Sequence, residues 1–167
     1  MEYAYRAEGW QAFFGAVAAA AAALAGLLFI ALSLNVRAMA KDATFLGRAR
    51  EAFGGFLCLI VLALVALIPG QDRRLLGTEI VAFALIIAGF SVVLQGSTVR
   101  RLPREYRGRW MLRLLPLNLA TAAILVAGGS LVIGRYGGLF WLVPTVIVYF
   151  AWGFFTVWSL IVQIAEA

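Results

Sequence analysis

The chain has 167 residues, 64% of them hydrophobic and 13% charged, with a mean hydropathy of +0.97. A soluble domain is about half apolar and about a quarter charged, so too little polar surface is present here to cover a water-borne globule, and lipid is the expected solvent. The formal net charge of +6 would suggest nucleic-acid binding in a soluble protein, but the basic residues sit in short linkers between apolar runs, where membrane topology accounts for them and no nucleic-acid partner is expected.

Five apolar runs follow in chain order, and a helix needs ~20 such residues to cross ~30 Å of hydrocarbon. The expected fold is therefore all-α, a single membrane domain of five transmembrane helices at about 10–35, 52–69, 79–98, 111–133 and 139–165. Helices are expected rather than a barrel because the runs are unbroken and lack a two-residue alternation.

The first run is built from small residues. Gly15, Ala18, Ala22 and Gly26 recur at close to four-residue spacing, which allows tight helix approach inside the chain or against another subunit. Its leader carries Glu2 and Glu8 against Arg6, unlike a positive secretory leader, and predicts an uncleaved span. Ser33 and Asn35 close it. A linker with Arg37, Lys41, Arg48 and Arg50 leads to the second run, which holds the lone cysteine, Cys58, read as a small buried hydrophobe. Pro69-Gly70-Gln71-Asp72 ends that span, and Gly77 is expected to precede the third.

The third run places Ser91, Gln95 and Thr98 on one face, and the fourth carries Asn118 and Thr121. An amide in hydrocarbon is costly unless paired, so Gln95 and Asn118 are expected to face inward, as partners or as the lining of a vestibule. Between these runs lie Arg100, Arg101, Arg104, Arg107 and Arg109, with Arg113 just inside the fourth. They suit anionic lipid headgroups as well as plain topology determination. With the first basic linker they make up most of the 14 basic residues, which predicts the N-terminus outside and the C-terminus inside. Pro116 and Pro144 each fall near one end of a span, where a bend or a first-turn proline is expected. Arg135-Tyr136-Gly137-Gly138 reads as a tight hairpin into the fifth run, and Trp10, Trp110 and Trp141 suit interfacial anchoring.

The fifth run carries its polar and amphipathic residues, Thr145, Tyr149, Trp152, Thr156, Ser159, Gln163 and Glu166, at alternating spacings of four and three. That is one continuous face of a helix. It is either an interhelical seam, with hydroxyls bonded across to neighbours, or the lining of a pore or cavity, with Gln95, Asn118 and Ser91 as further candidates.

The chain contains no histidine and one cysteine, and no nucleophile, metal, nucleotide or paired-carboxylate motif is present. No carboxylate is expected at the centre of any span. An enzyme is not expected, nor a metal or other cofactor. A homo-oligomeric channel or pore is one expected role. A non-catalytic accessory subunit that binds another membrane protein through the first span is a second, and a small-molecule transporter a third.

Trp10-Gln-Ala-Phe13-Phe14, the alanine run, and Gly26-Leu-Leu-Phe29-Ile-Ala31-Leu-Ser33-Leu-Asn35 resemble small actinobacterial membrane proteins of uncharacterised type, as does Pro69-Gly70-Gln71 followed by Leu76-Gly77-Thr-Glu79. Some members are described as modulators of the FtsH protease. The resemblance covers mainly the first half of the chain. It implies a multi-pass protein of a bacterial cytoplasmic membrane and carries over no site residue.

Overall fold

The computed structural model describes residues 2–34, 43–101 and 104–165; the side chains of residues 2, 43–47, 94, 96–101, 104–113, 160, 161 and 163–165 lie outside that description. The described residues form five long helices and no strand: α1 (Gln11–Leu34), α2 (Ala43–Ala66), α3 (Arg73–Arg101), α4 (Arg104–Ile133) and α5 (Leu142–Ala165). Short 3-10 turns cover Glu2–Tyr5, Ala7–Trp10 and Gly138–Trp141. All five helices are long and apolar enough to cross a membrane. The chain divides into two compact units, one of residues 10–67 and 149–167, the other of residues 1–9 and 68–148.

In the first of these units α1 packs on α2. Buried Phe14, Val17, Ala21 and Leu28 form one stripe of α1. Ala49, Ala52, Phe56, Leu59, Ala63 and Ala66 form the answering stripe of α2. The three- and four-residue steps in both rows keep an apolar face toward a neighbour over many turns. Trp10, Phe13 and Phe14 cluster at the start of α1, with the Trp10 and Phe13 rings edge to face at 5.5 Å. Helix α2 ends where Leu67 donates to the carbonyls of Ala63 and Leu64, ahead of Pro69, which cannot continue a helix.

The second unit contains α3, α4 and the first turns of α5. Helix α3 begins at Arg73 because Asp72 caps it: the Arg74 N–H donates to Asp72 Oδ2 at 3.2 Å and the Leu76 N–H to its carbonyl at 3.0 Å. Gly77 therefore lies inside α3 rather than ahead of it. Helix α4 ends as the amides of Gly134 and Arg135 both donate to the Ser130 carbonyl. The Arg73 guanidinium lies against Gly134, where a cation meets the negative end of the α4 dipole.

The connection from α4 to α5 is longer than the hairpin expected. Tyr136, Gly137 and Gly138 all take positive φ, and a 3-10 turn follows, so α5 starts at Leu142. Trp141 Nε1 donates to the Tyr136 carbonyl at 2.6 Å and holds this turn shut. The N-terminal segment packs onto it. The Gly137 N–H donates to the Tyr5 hydroxyl at 3.0 Å, and Gly138 sits on the carbonyl of buried Ala4.

Helix boundaries depart from the expected spans for one reason. Apolarity marks where hydrocarbon begins, whereas a helix ends where its backbone bonding ends. Helix α2 starts at Ala43, so Arg48, Arg50 and Glu51 are helical, not linker. The basic stretch expected to be a loop between the third and fourth spans is helical on both sides, with α3 running to Arg101 and α4 starting at Arg104. Arginine is a good helix former, which lets the basic residues continue both helices. In consequence Pro116 lies well inside α4 rather than in a first turn, and its missing N–H leaves one carbonyl of the preceding turn without its helical donor. Pro144 falls in the first turn of α5, where proline is tolerated.

Candidate polar and small-residue contacts

The polar face of α5 is buried or half-buried at each position whose side chain is described. Thr145 is 0% exposed, Thr156 2% and Tyr149 4%, while Trp152 and Ser159 are half-buried. A hydroxyl in an apolar setting must find an acceptor. Most find it on their own helix: Thr145 Oγ1 donates to the Trp141 carbonyl, Thr156 Oγ1 to Trp152 and Ser159 Oγ to Thr156. Thr121 and Ser130 of α4 do the same with Leu117 and Ala127. Such back-bonding satisfies the group with neither water nor a partner.

Other bonds of this face reach a neighbouring helix. In the unit of α3 and α4, Thr145 Oγ1 also donates to the Ala120 carbonyl of α4 at 3.3 Å. In the unit of α1 and α2, Trp152 Nε1 donates to Glu51 Oε1 of α2 at 3.1 Å. Around this second bond α2 and α5 run antiparallel and close. Tyr149 covers Gly55 and is hydrogen-bonded to Cys58, and Gly153 faces the Phe56 ring so closely that a Cβ there would lie 2.7 Å from it. Gln163 and Glu166 fall outside the described side chains.

Glu51 was not among the residues expected to matter. The apolar run was read as starting at residue 52, which left this carboxylate in a linker. The helix carries it one turn inside the Arg48 end of the span Arg48–Ala66. The signal available in the sequence was its place beside Ala52, among the inward steps of α2 that begin at Ala49.

Gln95 and Asn118 are brought together. Gln95 Nε2 donates to Asn118 Oδ1 at 3.1 Å, and Asn118 Nδ2 donates back to Gln95 Oε1 at 3.3 Å. This reciprocal amide bridge joins α3 to α4. The pair does not face inward as expected, since Asn118 is exposed and Gln95 half-buried. Pairing lowers the cost of an amide in hydrocarbon while leaving one N–H of each to point elsewhere. Ser91 lies one turn from Gln95 on α3 and is half-buried. Asn118→Leu is expected to cost about 1 kcal/mol of stability, the usual worth of an interhelical side-chain bond in a membrane. Thermal unfolding in detergent checks it, and the double variant with Gln95→Leu is expected to lose less than the sum of the two single changes.

The closest approach of α3 and α4 was not foreseen. A Cβ on Gly77 would lie 2.8 Å from the Gly128 carbonyl oxygen, and one on Gly128 would lie 2.8 Å from the Gly77 carbonyl oxygen. Beside this crossing an open apolar groove runs between the helices, lined by Thr78, Val81, Leu85, Gly129 and Val132. The sequence signal was partial: buried Ile80 and Ala84 follow Gly77, and buried Ile124, Ala127 and Leu131 flank Gly128, at helical spacing.

The small-residue stripe of α1 is not what packs inside the chain. The buried stripe of Phe14, Val17, Ala21 and Leu28 turns another face to α2 and leaves Ala22 and Gly26 exposed and Gly15 and Ala18 half-covered. A Cβ on Gly15 or Gly26 would meet open space. The side chains of Arg100, Arg101, Arg104, Arg107 and Arg109 lie outside the described residues, as does Asn35.

Among the described residues the arrangement comprises hydroxyls turned back on their own helices, the Gln95–Asn118 amide bridge, the Glu51–Trp152 bond and an exposed small-residue face on α1. Comparison with protein-family models, with curated proteins and with solved structures found no match.

Proposed function

We propose that this protein is a non-catalytic accessory subunit that binds another membrane protein through the exposed small-residue face of α1. The observation that carries the reading is the outward turn of Ala22 and Gly26 on a helix whose larger apolar residues, Phe14 and Leu28, are spent on α2. Small side chains let two backbones approach within dispersion distance, the main source of helix affinity where the hydrophobic effect is absent. The burial of Thr145 and Thr156 supports the same reading, because hydroxyls bonded to carbonyls of their own helix have little to offer a passing ion. A role in modulating a membrane protease, implied by the resemblance of α1 to proteins so described, belongs to the same class.

The basic residues favour an N-terminus outside and a C-terminus inside a bacterial cytoplasmic membrane, with the Arg100–Arg109 tip at the anionic inner leaflet. Self-association is the second reading, and the exposed Asn118 bridged to Gln95 favours it, since a second copy of the pair could take up the spare amide hydrogens.

Purification in a mild detergent distinguishes these. The wild-type chain is expected to carry a larger membrane protein in fixed stoichiometry, and Ala22→Leu with Gly26→Leu is expected to lose it while keeping the same thermal midpoint. A wild-type chain that purifies alone as a monomer would remove both readings. A symmetric oligomer of this chain alone, broken by Asn118→Leu, would replace the first by the second.

A further inference from the structure

The bond between Glu51 and Trp152 joins a titratable group of α2 to an indole of α5. Trp152 Nε1 donates to Glu51 Oε1 at 3.1 Å, and Glu51 is half-buried one turn inside the Arg48 end of its span. We propose that this bond is a proton-sensitive latch between α2 and α5, closed by the ionised carboxylate and loosened when it takes up a proton.

The chemistry is that of the acceptor. An ionised carboxylate accepts an N–H bond roughly twice as strong as a neutral acceptor does. Protonation removes that charge assistance and gives the group an O–H that must seek an acceptor of its own, which an indole, having only a donor, cannot supply. The rest of the contact surface is indifferent to protons: Gly153 on Phe56 and Tyr149 on Gly55 are packing contacts that persist either way. The latch therefore changes how firmly one turn of α5 is held to α2, without dissolving the pair.

Few other groups could answer to pH here. Helix α1, which packs on α2, has no ionisable side chain from Gln11 to Leu34, and α5 has only Tyr149 from Leu142 to Ala165. On α2 itself Arg48 and Arg50 precede Glu51, and Cys58 follows two turns later. Among the described residues of this unit Glu51 is the sole carboxylate. It stands at one end of the span, beside two arginines.

The test uses the full chain in lipid nanodiscs with Trp10, Trp110, Trp141 and Trp158 changed to Phe, so that Trp152 alone emits. Emission is followed from about pH 8 to about pH 4. One reversible transition is expected, with a shift of the emission maximum and easier quenching at low pH, and it is expected to vanish in Glu51→Gln. If the fourfold change prevents folding, the same titration is read as the difference between the native chain and Trp152→Phe, again with and without Glu51→Gln. A flat titration, or a transition that survives Glu51→Gln, overturns the latch.

Discussion

Alanine at Gly128 is expected to lower the thermal midpoint of the purified protein by about 5–10 °C, the shift that ~2–3 kcal/mol of overpacking makes in a chain of this size. The added methyl would stand 2.8 Å from the Gly77 carbonyl oxygen, 2.8 Å from a methyl of Val81 and 2.9 Å from the Val81 nitrogen. Two of these three are backbone atoms, which cannot step aside as a flexible side chain would, so α3 and α4 must part. Gly77→Ala meets the same obstacle from the other helix, 2.8 Å from the Gly128 carbonyl oxygen, and should cost a similar amount. Once either methyl has pushed the helices apart the second has less to displace, so the double variant should fall short of additivity. Gly129 supplies the control. A Cβ there meets open space, so Gly129→Ala should leave the midpoint unchanged or raise it, by up to ~1 kcal/mol of helix propensity. Equal losses at 128 and 129 would show that α3 and α4 do not cross at this glycine. Unfolding followed by circular dichroism or by dye binding in detergent decides the matter.

Alanine at Gly138 is expected to free the N-terminal segment. Gly138 has φ 51, in the left-handed region, where a side chain costs about 1–2 kcal/mol, and a Cβ there would collide with the carbonyl of Ala4. Moving the collision away means lifting Ala4 from its buried place and drawing the Tyr5 hydroxyl off the Gly137 amide. Arg6, the next residue, would then become readily cleavable, so limited trypsin digestion of the intact protein should cut after Arg6 several-fold faster in Gly138→Ala than in the native chain. Tyr5→Phe removes only the hydroxyl and should give the same change on a smaller scale, with a cost of about 1 kcal/mol. Unchanged digestion in Gly138→Ala would mean that the segment does not rest on this turn.

The five helices were legible because hydrocarbon demands long apolar runs, and that demand outweighs local propensity. Their ends were less so. Asp72 was read as part of a turn, and its carboxylate instead starts α3 five residues before Gly77. Gln95 and Asn118 could be matched from chemistry alone, since each amide needs a complement and the two runs are consecutive. Their outward exposure could not, because the direction of a face depends on which apolar stripe a neighbour claims, and that is a property of two helices rather than one. The same limit hid the inward stripe of α1: four-residue spacing picks out Ala18, Ala22 and Gly26, but the larger Phe14, Val17 and Leu28 bury more surface and win the contact with α2. Glu51 was missed for a different reason. A boundary drawn where apolarity begins discards every charge next to it, although a helix can carry such a charge up against its neighbour.

The end of α3 at Arg101 and the start of α4 at Arg104 have a practical side for anyone who wishes to tag this protein. Two paired helices lie about 8–10 Å apart, so whatever is spliced in at that tip must begin and end within that distance. A reporter domain with neighbouring termini would fit there as a cap on two rods. One with distant termini would act as a wedge, and its strain would be carried down both rods to the glycines that touch.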